Sequence, residues 1–369
     1  MVDIKRAVEI AVPTASRWRT RLIVGHGGQE LNDAQQDVVE DIVSSGGLVT
    51  VAFRGEWIGP LSMPSAGARS GIGDICTTRD GLFVVSSQFQ EVFVWSLPSG
   101  TFLHTIEAQN RVRARICTTP DSRSVVVAAD SLTEWDLQDG RARRQFVGAP
   151  SGAGTVKWVG ITGRDRLLCA YIGSYLVFWD LTTGLRLKCV SHAVPTHAIC
   201  TPPTAAPAAE LTELVTCTRQ VTVGWSISQP TTRGLELVKR GTFVQSRNRL
   251  AGRGENILAV CMSHDGRYLV TGASSLEMWL CGNGMHLRSM HSRGRVVGLE
   301  FSPDDNLLVT ASIGGVLMWG MPGGCLLRKV GGDTLQATGM SLTPDGRRVV
   351  VARATSSGGE LEVLSLWKS

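Results

Sequence analysis

This 369-residue chain has no long apolar run and no close cysteine pair, few aromatic residues and little excess of either charge sign. No run approaches the roughly 18 apolar residues needed to cross a bilayer, and the first apolar stretch, Ala7 to Pro13, is broken by Glu9. Neither a membrane span nor a secretory signal is therefore expected. Aromatics make up only 6% of the positions, which gives little support to base stacking. Lys and Arg number 37 against 32 Asp and Glu, so the net +5 has meaning only once it is located along the chain. Nine cysteines is an odd count with no C-x-x-C, and most sit in apolar runs, which predicts reduced, buried thiols rather than disulfides. A cytoplasmic location is the expectation. Arg17, Arg19 and Arg21 set against Asp3 and Glu9 leave a mitochondrial presequence open, and nuclear or cytoskeletal association is open too. What is plentiful is apolar residues, 43% of the total, enough for a substantial core and too many for wholesale disorder.

The strongest positive signal is repetition. Ile75-Cys76-Thr77-Thr78-Arg79-Asp80-Gly81 returns 41 positions later as Ile116-Cys117-Thr118-Thr119-Pro120-Asp121-Ser122. Related segments follow at Val159 to Asp165, Ile199 to Pro203, Val260 to Gly266, Leu299 to Asp305 and Met340 to Gly346, seven copies in steps of about 40 residues with one near 60. Each leads into a β-branched run such as Val125-Val126-Val127, then a short turn, then a strand ending in an aromatic. Those aromatics are Trp95, Trp135, Trp179, Trp225, Trp279 and Trp319, with Leu364 in the seventh place. A Gly-containing turn and a fourth apolar run complete the unit, so each predicts four short strands. A small sheet of that kind cannot cover both of its faces alone. Stacking seven of them into a ring removes the bare ends, and a large flat side chain at one fixed place fills the gap between neighbours. The predicted fold is all-β, a single β-propeller of four-stranded blades.

These residues resemble the WD40 repeat family. Trp135-Asp136 and Trp179-Asp180 are literal W-D dipeptides, and Ser302-Pro303-Asp304 and Thr343-Pro344-Asp345-Gly346 are similar to its S-P-D-G turn. The likeness covers about four fifths of the chain and implies a fold and a scaffolding role, not a specific partner. Most units lack the His and turn Asp of the family's blade-locking network, so greater reliance on apolar packing is expected. The beginning of the chain departs from the repeat. Residues 1–47 read as an extension with a strand at Arg21 to Val24 and a helix over Leu31 to Val43, flanked by Asn32 or Asp33 and Gly46. The propeller is then expected over 48–369, with 48–61 supplying the strand that closes the last blade. Seven blades are preferred. Aligning Ser44 to Thr50 and Trp57 with a degenerate repeat would make eight.

Chemistry-bearing patterns are few. His192 and His197, or His286 and His291, are spaced five apart near expected blade edges, and no metal site is predicted from them. Cys76, Cys117, Cys200 and Cys261 share one slot of four first strands, where a small side chain suits a crowded position. There is no G-x-S-x-G elbow, and Gly25-His26-Gly27-Gly28 lacks the Lys-Ser/Thr ending of a phosphate loop. Pro303-Asp304-Asp305-Asn306 carries carboxylates but falls where other repeats have a hairpin turn. No catalytic residue, metal, cofactor or small-molecule substrate is assigned.

Basic residues are the more informative feature. Residues 233–254 hold Arg233, Lys239, Arg240, Arg247, Arg249 and Arg253 against Glu236, a local excess equal to the net charge of the whole chain. Read as an insertion between repeats, this interval is suited to an anionic partner. A second cluster comprises Arg111, Arg113 and Arg115 at strand spacing, with Arg141, Arg143 and Arg144 later in the same unit; salt bridges to Asp121, Asp136 and Asp139 are the competing use. The expected function is a non-catalytic scaffold that binds protein partners in a larger assembly. RNA or another polyanion at the basic interval is the alternative, and an enzyme built on the ring is a third reading that would need polar groups converging at the channel mouth.

Overall fold

A computed structural model describes residues 22–24, 29–31, 49–50, 59–61, 71–88, 91–107, 114–150, 154–162, 165–191, 198–200, 214–217, 221–227, 235–244, 257–330, 337–355 and 358–367. The chain divides into two compact units, Met1–Trp57 with Leu97–Gly100, and Ile58–Ser96 with Thr101–Ser369. In the first, Leu22–Val24 pairs antiparallel with both Gln29–Leu31 and Val49–Thr50. Apart from Leu31, which is in a strand, the helix expected over Leu31 to Val43 lies outside the described residues. No helix occurs among the described residues, hence none that could cross a membrane.

The second unit is a ring of seven four-stranded antiparallel blades, named here by their inner, second, third and outer strands. Blade 1 comprises Asp74–Thr77, Phe83–Gln88, Glu91–Ser96 and Thr101–Glu107. Blade 2 comprises Arg115–Thr118, Ser124–Ala128, Leu132–Asp136 and Ala142–Phe146, and blade 3 comprises Val156–Thr162, Leu167–Ile172, Tyr175–Asp180 and Arg186–Ser191. Ala198–Cys200, Leu214–Cys217, Val221–Ile227 and Leu237–Val244 make blade 4. Ala259–Met262, Tyr268–Gly272, Leu276–Leu280 and Met285–Met290 make blade 5, and Val296–Phe301, Leu307–Ser312, Gly315–Gly320 and Cys325–Val330 make blade 6. Blade 7 takes three strands from the end of the chain, Ala337–Leu342, Arg348–Thr355 and Gly358–Ser365, and its outer strand, Gly59–Leu61, from near the beginning. Successive inner strands lie against one another all the way round, and that of blade 7 meets that of blade 1. Within the stretch that an eighth repeat would have used, Val49–Thr50 pairs with Leu22–Val24 instead.

The second strands explain the uninterrupted apolar runs. In blade 3, Leu168, Ala170 and Ile172 pack into a cluster shared with blade 2, while Leu167, Cys169 and Tyr171 pack into one shared with blade 4. Blade 6 repeats the parity, with Leu308 facing blade 5 and Leu307, Val309 and Ala311 facing blade 7. Both faces of these strands are covered, so apolar residues fill both parities and the usual polar alternation disappears. Each fully buried Val or Leu contributes roughly 1.5–3 kcal/mol.

The six tryptophans also mark a backbone feature. In blades 1 to 6 the pairing of third and outer strands slips by one residue immediately before the Trp, a β-bulge repeated at Trp95, Trp135, Trp179, Trp225, Trp279 and Trp319. The indole N–H of Trp225, Trp279 and Trp319 donates to the hydroxyl of Thr216, Thr271 and Thr310, each two residues beyond the Trp's cross-strand partner. In blade 2 that place is held by Val127, and the N–H of Trp135 has no partner among the described residues.

Polar locks are more regular than the sequence suggests. In five blades the turn from inner to second strand begins with a hydroxyl that donates to an Asp two residues on: Thr78 to Asp80, Thr119 to Asp121, Ser263 to Asp265, Ser302 to Asp304 and Thr343 to Asp345. The same hydroxyl accepts the N–H five residues along, and the carboxylate accepts the N–H two residues past it, so one Ser/Thr–Asp pair satisfies the turn. The intervening left-handed position is Gly81, Ser122, Gly266, Asp305 or Gly346.

Candidate interaction surfaces

Antiparallel order puts the described inner–second and third–outer turns on one face, the turn face; blade 7, whose outer strand comes from near the beginning of the chain, has no third–outer turn. The described second–third turns and links lie on the opposite, link face. On the turn face, carboxylates are largely consumed by their own turns. Asp136 accepts the N–H groups of Gln138 and Asp139 and is bonded by Arg143; burial opposes its charge, but these donors hold its carboxyl below the usual range. Asp180 caps the equivalent turn of blade 3 through Thr182 and Thr183. Arg79 of blade 1 makes a bidentate pair with Asp165 of blade 3 at 2.6 and 2.7 Å, reaching past blade 2, and Asp305 of blade 6 binds His264 and the N–H of Asp265 of blade 5.

The arginines singled out in the sequence do not form one patch. Arg115 opens the inner strand of blade 2 at the link face, whereas Arg141, Arg143 and Arg144 lie at the turn-face end of that blade's outer edge. Arg143 is bound to Asp136, and Arg141 stands 3.9 Å from Asp139. Arg144 donates to the carbonyls of Leu181 and Thr182 in blade 3 and approaches Glu134 at 3.8 Å. Reaching into the next blade is a recurring use of this register position. Arg288 bonds the carbonyl of Gly323 in blade 6, Arg328 that of Leu366 in blade 7, and His104 packs on Gly140 of blade 2. Arg111 and Arg113 lie outside the described residues, as do Arg247, Arg249 and Arg253.

The interval 233–254 is not wholly an insertion, because Leu237–Val244 is the outer strand of blade 4. Lys239 and Arg240 belong to that strand, and Arg240 is the extra residue of its bulge, the slot Arg143 fills in blade 2. The β-branched and apolar residues around the Lys-Arg pair were the available strand signal.

At the link-face end of the channel, a small cavity is lined by Ile75, Val297 and Met340 together with Asp74, Arg115 and Thr338. Asp74 bridges blades 1 and 2 by accepting the N–H of Ile116; burial pushes its carboxyl up, partly offset by Arg115 and two backbone N–H groups. Deeper in the ring, Cys76, Cys117, Cys200 and Cys261 occupy one equivalent inner-strand slot, where burial raises every thiol and keeps it protonated. No group of three or more His, Cys, Asp or Glu side chains is placed to hold a metal ion among the described residues.

One basic feature escaped the sequence reading. The link from blade 5 to blade 6, residues 291–295, exposes His291, Arg293 and Arg295. Two arginines in a short link form no run, and only the topology shows which face they occupy.

Residues 284–319 match the family described as WD domain, G-beta repeat. The match runs from the turn before the outer strand of blade 5 to the Trp of blade 6, so the sequence repeat is offset by one strand from the structural blade. A comparison with curated proteins finds no match.

Proposed function

Because this chain is a WD-repeat β-propeller protein, we propose that it acts as a non-catalytic scaffold holding protein partners in a multi-subunit assembly in the cytoplasm. The observation that carries this reading is the closed ring. Seven blades cover one another's apolar faces, and the surfaces left for recognition are two rigid faces, the rim and the links. A partner that docks on such a frame does not have to order it first, so little binding energy is lost to folding. WD40 propellers typically serve as protein-interaction scaffolds of this kind. The basic residues of the interval 233–254 and Arg111, Arg113 and Arg115 are proposed contacts for acidic surfaces. The test is affinity capture of the tagged full chain with mass spectrometry and sizing. Reproducible, near-stoichiometric partners are expected; a chain that stays monomeric and captures nothing above background would sink the scaffold.

The charge of that interval also supports a second reading, direct binding of RNA or another polyanion through Arg247, Arg249 and Arg253. Replacing these three by Ala should then weaken binding to an RNA oligonucleotide and flatten its salt dependence. An unchanged slope removes this reading.

A further inference from the structure

We propose that the blade 5–6 link, residues 291–295, together with the second–third turn of blade 6 forms a docking site for an acidic peptide segment of a protein partner, one with an apolar side chain among its carboxylates. The inference rests on the scaffold reading and names the chemistry of a partner.

Three observations converge. The first is unpaired charge. Arg293 and Arg295 are exposed, and neither guanidinium has a hydrogen-bond or ion-pair partner among the described residues, whereas Arg143, Arg144, Arg288 and Arg328 are all committed within the ring. The second is rigidity. Ser292 Oγ donates to the Ser274 carbonyl of blade 5 at 2.5 Å and lies 2.8 Å from the Gly294 carbonyl, while Val296 N–H donates to the Ala273 carbonyl at 2.8 Å. On the other side the link presses against blade 6. A Cβ on Gly314 would lie 2.0 Å from the Arg293 carbonyl oxygen, so the close approach requires glycine, and Gly294 itself has φ of +130°. The two arginines therefore project from a link clamped between two turns, and ordering it on binding costs little.

The third observation is apolar. Ile313 is 51% exposed and lies beside the link, its Cβ 4.0 Å from where a Cβ on Gly294 would stand. An exposed isoleucine alone is unremarkable on a protein surface. Set beside a link that carries two free guanidinium groups, it supplies the contact that a purely phosphate-binding surface does not use. Carboxylates match the arginines in charge and geometry, and a neighbouring aliphatic side chain would cover Ile313. Nucleic acid fits less well. The aromatic among the exposed large apolar side chains described, Trp367, follows the third strand of blade 7 at the turn face, so no stacking platform accompanies these arginines.

The experiment is fluorescence anisotropy with the full chain and a labelled twelve-residue peptide of Glu-Glu-Leu repeats, alongside a Lys-Lys-Leu peptide and a twelve-nucleotide oligouridylate. Saturable binding of the acidic peptide is expected, weakened about tenfold by combined Arg293→Ala and Arg295→Ala and about threefold by Ile313→Ser. Arg267→Ala on the turn face should leave it unchanged. Equal affinity for the Lys-Lys-Leu peptide, tighter binding of oligouridylate, or no loss in the Arg293/Arg295 variant overturns the proposal. Capture of partners tells the two readings apart. If the double variant captures the same partners as the parent, this site fails and the scaffold stands; if no form of the chain captures any, the scaffold fails.

Discussion

Glu300 occupies the slot that holds Cys76, Cys117, Gly160, Cys200, Cys261 and Ser341 in the other inner strands. Its Oε2 accepts the N–H of Leu342 at 2.7 Å, tying blade 6 to blade 7, yet burial outweighs that bond and pushes its carboxyl up to about 7. A carboxyl that ionises near 7 when folded and near 4.5 when unfolded favours the folded state fully below 4.5, and that advantage is lost as pH rises to 7. The loss amounts to at most about 3 kcal/mol. Glu300→Gln, which keeps an acceptor without a charge, should match the parent near pH 4.5 and exceed its stability by about 2 kcal/mol at pH 8. Urea unfolding at both pH values checks this, and an equal pH dependence in both proteins would refute it. At this scale the sequence was partly legible. Trp135-Asp136 and the Ser/Thr–Asp pairs announced their turns, but Glu300 looked like any strand glutamate, because desolvation depends on residues distant in the chain.

Among the elements, the fourth strands were least legible. The Trp of each unit marked the third strand, but the bulge immediately before it shifts the register and decides which basic side chain reaches the next blade. A Lys-Arg pair thus read as loop where Leu237–Val244 is a strand. Links were equally opaque, since their contacts are to turns of two different blades. Gly314 tests the packing of one of them. Gly314→Ala would place a methyl against the Arg293 carbonyl, and a backbone atom cannot swing aside as a side chain end can. The expected cost is about 2 kcal/mol, read as a lower thermal midpoint, with faster hydrogen exchange over 291–295. Unaltered exchange there would show that the link is not clamped by blade 6.

At the scale of the molecule, closure depends on three residues. Gly59–Leu61 pairs with Leu361, Glu362 and Val363, and Leu61 is buried. Two truncations separate its contribution from that of the first unit. Removing residues 1–57 should leave a cooperative thermal transition close to that of the full chain. Removing 1–61 should lower and broaden it, because blade 7 then exposes the edge of a strand whose Leu361 and Val363 are fully buried. Identical calorimetric traces for the two would mean that the ring does not rely on this strand. The sequence by itself determined the repeat and the strand-rich blade, since local β-propensity, turn chemistry and a Trp at fixed spacing are written within each unit of about 40 residues, whereas the choice of seven blades over eight came from strand pairing. Only the tertiary structure decided which arginines are spent between blades and which stay free. Arg144 and Arg295 are alike as sequence; one finds carbonyls of a neighbouring blade and the other finds solvent, and that difference arises when separate units are brought side by side.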